Sequence, residues 1–177
     1  MNEKLFSVPR ALFRKYGTSD PFRIAEYLGF QVRFVDLKKT KGFCKLVMRN
    51  YFIFINANLS QEMQRMCCAH EIGHILFHKR YLATPEYLMH MELFDMHNRT
   101  EYEANLFAAN LLIDDDELLD MVQRGLDVIT TAASFGVNVN LLALKLAEMK
   151  KAGHPVNVPF TPNRKFLGRI EDRSDSI

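Results

Sequence analysis

The run His70-Glu71-Ile72-Gly73-His74 places two histidines four residues apart with an acid beside the first. On a helix, positions i and i+4 lie one above the other on one face. Two imidazoles there can share one metal ion at about 2.0–2.1 Å each. Glu71 lies about 100° round the helix from His70, beside the metal rather than on it, within reach of a water held there. Hydrolysis needs this division of labour. The metal lowers the pKa of water from about 15.7 to about 7 and polarises a carbonyl. The carboxylate takes the water's proton and returns it to the leaving amine. The residues point to His70 and His74 as metal ligands, Glu71 as general base and acid, and Zn2+ as the cofactor.

A catalytic zinc takes a third protein ligand and keeps a fourth position open. Downstream lies Thr100-Glu101-Tyr102-Glu103-Ala104-Asn105-Leu106-Phe107-Ala108-Ala109. By helical spacing Glu101, Asn105 and Ala108 share a face. Glu103 is off that face and has the form of a capping-box partner for Thr100. This makes Glu101 the expected third ligand and Glu103 a structural carboxylate. Asn105 is placed to accept a hydrogen bond from a ligand histidine and set its tautomer.

Both motifs need helices beneath them. Ser60 is a good N-cap for a helix over about 61–79, and Lys79 and Arg80 suit its C-terminus. The Thr100 box opens a helix over about 101–113. Before these, Ser7 can cap a short helix with Pro9 in its first turn, ended by Gly17. Asp20-Pro21 opens a second helix, which stops at Gly29. Residues 31–37 then alternate polar and apolar, and 43–48 and 51–55 are two further strand candidates, with Arg49-Asn50 as the turn between them. The expected result is a small antiparallel sheet. Residues 114–116 break and cap a helix over about 116–124, and helices follow over about 127–135 and 139–152. The expected organisation is one α+β domain, a zincin-like unit over 1–155 with 114–155 as its helical C-terminal part. Residues 156–177 read as a loosely held tail.

Composition sets the frame. The chain has 177 residues, 48% hydrophobic and 25% charged, enough for a core that needs no disulfide. The net charge of +2 is too balanced to mark a nucleic-acid or membrane binder. No apolar run approaches the roughly 20 residues of a membrane span, and the start has no secretory h-region. Three cysteines, Cys44, Cys67 and Cys68, are an odd number with two adjacent, which reads as reduced thiols in a cytoplasmic protein.

Other residues carry open alternatives. Tyr81, Tyr87, His90 and His97 are each candidates to stabilise an oxyanion, and the sequence does not choose among them. His78, one turn past His74, reads first as a surface or cap histidine. Cys67 reads as a buried thiol before an extra ligand or redox sensor. Residues 42–48 are an edge strand near the cleft or an ordinary internal one. Residues 132–142 have a helix-turn-helix flavour, but the would-be recognition helix opens with Val139, Leu141 and Leu142, so packing is the expected role and direct nucleic-acid binding is not.

Together, Phe54-Ile55-Asn56, the run Ala69 to His78 and the run Glu101 to Leu112 resemble the ImmA/IrrE family of metallo-endopeptidases over about residues 20–150. The resemblance implies a zinc-dependent, gluzincin-like peptidase of phage and mobile genetic elements. Its implied substrate is a specific regulatory protein, a helix-turn-helix repressor. It also implies that the first Glu of the second motif, here Glu101, is the third ligand. One departure is Ile113-Asp114-Asp115, where such proteins usually carry a proline soon after Leu-Leu. The rival expectation is a non-hydrolytic zinc-containing regulator that acts by binding a partner protein or DNA.

Overall fold

The computed structural model describes residues 3–82 and 98–158, apart from the side chains of Tyr81 and Asn98. Helix α1 (Lys4–Tyr16) buries Leu5, Pro9 and Leu12 on one stripe and ends at Gly17, whose φ of 67° closes the helix in the left-handed region. It starts earlier than Ser7, so Pro9 lies inside the helix. Proline has no N–H to give to the carbonyl four residues back. Asn110, from a distant helix, donates to that Leu5 carbonyl at 3.1 Å instead. A long-range side chain thus repairs a local break. Helix α2 (Pro21–Tyr27) has Asp20 as N-cap, accepting from the Phe22 N–H, and buries Ile24 and Ala25.

Strands β1 (Gln31–Val35), β2 (Gly42–Val47) and β3 (Asn50–Asn56) form one sheet in the order β1-β3-β2. β2 and β3 are an antiparallel hairpin. β1 runs parallel to β3, so the sheet is mixed rather than antiparallel. The tight hairpin forces β2 against one side of β3, and the chain from β1 crosses the end of β3 to reach it. Asn56 N–H binding the Lys41 carbonyl at 2.9 Å marks that crossing. The hairpin turn is Met48-Arg49, with φ of 48° and 68°, one residue earlier than expected. Both central residues take the left-handed region that a two-residue primed turn requires, and Asn50 becomes the first residue of β3.

Helix α3 (Gln61–Phe77) starts at the Ser60 cap, which accepts from the Met63 N–H. Every residue from Met66 to Ile75 is buried. It runs between the sheet, with Ile53, Ile55 and Cys44 in the core, and helix α5 (Asn98–Leu112). Short helix α4 (Lys79–Leu82) follows α3. Helices α6 (Asp115–Gln123), α7 (Val128–Ser134) and α8 (Val139–Lys151) open on Asp114, Asp127 and Asn138, each accepting a backbone N–H. α7 and α8 meet at 102°. α8 buries Leu141, Leu142 and Leu144 against the core, so the helix that would read DNA in a helix-turn-helix is packing surface here. Among the described residues no single helix is long and apolar enough to cross a membrane. The call of a loose tail falls mostly on 159–177, outside the described residues.

Candidate metal centre

The two helices of the site approach closely because small residues face each other. A Cβ at Gly73 would lie 3.1 Å from the Ala104 Cα and 3.2 Å from the Ala104 carbonyl oxygen. That closeness brings Glu101, one turn before Ala104, onto the histidine face of α3. His70 Nε2 and His74 Nε2 lie 3.0 Å apart. Glu101 Oε2 is 3.3 Å from His70 Nε2, and Glu101 Oε1 is 3.2 Å from His74 Nε2. These three side chains form the metal-competent cluster found among the described residues. The His70 and His74 side chains are 3% and 8% exposed while Glu101 is 30% exposed, so water reaches the cluster from the Glu101 side.

The electrostatics are those of a site built for positive charge. Burial pushes the Glu101 carboxyl up, but hydrogen bonds and charge from His70 and His74 outweigh it and hold the group well below the usual carboxylate range. Burial also opposes a charge on His70, yet Glu101, Glu71 and Asn105 together raise its pKa. Asn105 is fully buried, and its side-chain oxygen and His70 Nδ1 are both shielded from water. This is the place expected for a group that sets the tautomer of His70.

Glu71 is buried and faces the start of β2, where a Cβ at Gly42 would lie 3.8 Å from its Oε1. The same Cβ would lie 2.9 Å from the Phe54 carbonyl oxygen, so only glycine fits there without a shift. β2 is an edge strand of the sheet, so an exposed backbone edge begins beside the Glu71 carboxylate.

Two sequence expectations are corrected. Thr100 lies inside α5, and Glu103 is no capping-box partner: its Oε2 faces His78 Nε2 at 3.1 Å and its Oε1 accepts from Arg99 Nε at 3.0 Å. His78 is buried, not on the surface, and its Nδ1 faces His74 Nδ1 at 3.1 Å. The signal was present, since 70, 74 and 78 form one helical stripe, but the partner is 25 residues away on another helix. Cys67 is buried against α3's other neighbours and outside the cluster; burial, helped by the Glu71 charge, pushes its thiol up to about 12. Tyr87, His90, His97 and the side chain of Tyr81 lie outside the described residues.

Known proteins agree with this geometry. Residues 25–147 match the peptidase M78 family, described as the IrrE N-terminal-like domain. An uncharacterized immunity region protein 2 of Bacillus phage phi105 is 35% identical over 141 residues, which cover 78% of this chain and 87% of that protein. Metallopeptidase ImmA of Bacillus subtilis (strain 168) is 28% identical over 145 residues, covering 79% and 82% respectively. The matched stretch contains both helices of the His-His-Glu cluster, and the chain belongs to the ImmA/IrrE family of metallopeptidases.

Proposed function

We propose that this protein is a zinc-dependent endopeptidase that cuts a specific regulatory protein, a phage-type helix-turn-helix repressor. One observation carries the reading: His70, His74 and Glu101, from two helices, converge with ligand atoms 3.0–3.3 Å apart. Ligands at about 2.0–2.1 Å from a tetrahedral zinc are themselves separated by about 3.3 Å. Two imidazole nitrogens and a carboxylate are also the donor set of a catalytic rather than a closed structural site. When bound, zinc supplies a Lewis acid that polarises the scissile carbonyl and makes water a nucleophile near neutral pH.

The chain's own residues do the rest. Glu71, beside the ligands, takes the proton of the attacking water and delivers it to the departing amine. Asn105 orients the ring of His70. The free edge of β2 begins at Gly42, next to Glu71, and holds an extended substrate segment by strand pairing. The repressor assignment is supported by the two relatives, one a phage immunity region protein and the other named a metallopeptidase.

The test is incubation of the zinc-loaded protein with candidate phage-type repressors, read by mass spectrometry. Wild type should yield defined fragments. Glu71→Gln keeps shape and zinc but cannot shuttle a proton, so cleavage should fall at least about 10²-fold. Loss of repressor from DNA with intact repressor in both cases would instead establish a regulator that acts by binding.

A further inference from the structure

We infer that His78 and Glu103 form a positioning relay that holds His74 in the tautomer and ring orientation required of a metal ligand, an inference that rests on the reading of His70, His74 and Glu101 as that ligand set. Neither residue belongs to the cluster. His78 Nδ1 faces the far nitrogen of His74 at 3.1 Å, directed away from the converging ligand atoms.

The direction of every proton in the chain follows from donor chemistry. Arg99 can only donate, and it gives Nε–H to Glu103 Oε1 at 3.0 Å. Ionised Glu103 can only accept, so the contact of its Oε2 with His78 Nε2 at 3.1 Å requires the proton on that nitrogen. A neutral imidazole carries one N–H, so His78 Nδ1 is left with a lone pair. The contact at 3.1 Å then requires the proton of His74 on Nδ1. His74 Nε2 is thereby a lone pair, and it is the atom that faces His70 Nε2 and Glu101 Oε1.

Burial keeps the relay in force. The His74 and His78 side chains are 8% and 6% exposed, and Glu103 is 14% exposed, so water does not readily replace any link. The three residues also tie the C-terminal end of α3 to α5 at a second point, one turn from the Gly73–Ala104 contact. Rotation of the His74 ring would break the His78 contact. Partners of this kind around ligand histidines typically change metal affinity about 10–100-fold when removed.

The experiment combines zinc affinity by chelator competition with long-range 1H–15N spectra of the histidine rings in the zinc-loaded protein. His78→Phe keeps the ring and removes both nitrogens. It should weaken zinc binding about 10–100-fold. Glu103→Leu should weaken it as well, while Glu103→Gln, which still offers an acceptor to His78, should restore most of the affinity. The wild-type spectra should show His78 protonated at Nε2 and His74 at Nδ1. Wild-type zinc affinity in His78→Phe, alongside its loss in His74→Ala, would overturn the relay and leave the ligand set standing. Zinc retained by His74→Ala would overturn the ligand set and the relay together. Spectra showing His78 protonated at Nδ1 alone would overturn the relay even if His78→Phe did not fold.

Discussion

Gly73→Ala tests whether the approach of α3 and α5 sets the metal site. The added Cβ would meet the Ala104 Cα at 3.1 Å, the Ala104 carbonyl oxygen at 3.2 Å and the Phe107 Cδ1 at 3.2 Å. Carbon atoms prefer about 3.5–4.0 Å, so the helices must part by roughly 0.3–0.5 Å. Two of the three contacts are backbone and cannot turn aside. Two opposing terms act on stability. Alanine is better than glycine in a helix by about 1 kcal/mol. Overpacking a closed contact costs about 1–3 kcal/mol. The net change should be a loss of about 0–2 kcal/mol, which leaves the protein folded.

The metal site is less forgiving. Ligand distances must hold within about 0.2 Å, and Glu101 sits one turn from the point of separation. Zinc affinity should therefore fall tenfold or more, and the stabilisation that zinc confers should shrink by about 1.4 kcal/mol per tenfold. Thermal melts with and without zinc, with chelator competition alongside, separate the two effects. A Gly73→Ala protein with unchanged zinc affinity would refute the claim that this contact places Glu101.

Other outcomes are equally specific. Glu101→Gln should weaken zinc binding by more than the roughly 10–100-fold of an outer partner, and by more than Glu103→Gln; the reverse order would reverse the ligand assignment. Asp115→Asn should cost about 3 kcal/mol at pH 7, because it strands Lys145, whose side chain is 3% exposed. Burial pushes Asp115 up, but Lys145 and Arg10 outweigh it and hold the carboxyl below its usual value. Its contribution is therefore complete above the unfolded value of about 3.9 and is lost as pH falls through the folded one, so the stability gap between variant and wild type should narrow only below about pH 4. Urea titrations showing a constant gap down to pH 3 would contradict this. Cys44, Cys67 and Cys68 are all buried, with burial pushing Cys67 up to about 12 and Cys68 well above its usual value. A thiol reagent at pH 8 should label none of them in the folded protein and all three after denaturation; rapid native labelling of Cys67 would show the core misread.

What the sequence determined by itself was local. The spacing of His70 and His74 places both on one face of any helix that contains them, and Ser60, Asp20 and Asn138 accept the backbone N–H groups of the turns that follow them. These facts act over three or four residues, so one sequence suffices to read them. The pairing of Glu101 with those histidines was legible only as a shared helix face and a family likeness. Its 3.2–3.3 Å contacts exist because Gly73 lets Ala104 approach.

The errors were all tertiary. Pro9 was read as a helix start because its missing N–H has no local remedy, and the remedy came from Asn110. The sheet was read as antiparallel because neighbouring strands usually pair, whereas β1 found the far side of β3. Glu103 was given to Thr100, three residues away, when a buried His78 from another helix was the stronger claimant. A hydrogen-bonding side chain has many possible local partners and one buried one. Only the packing of α3 on α5 decides which of them is kept from water, and so which bond is worth making.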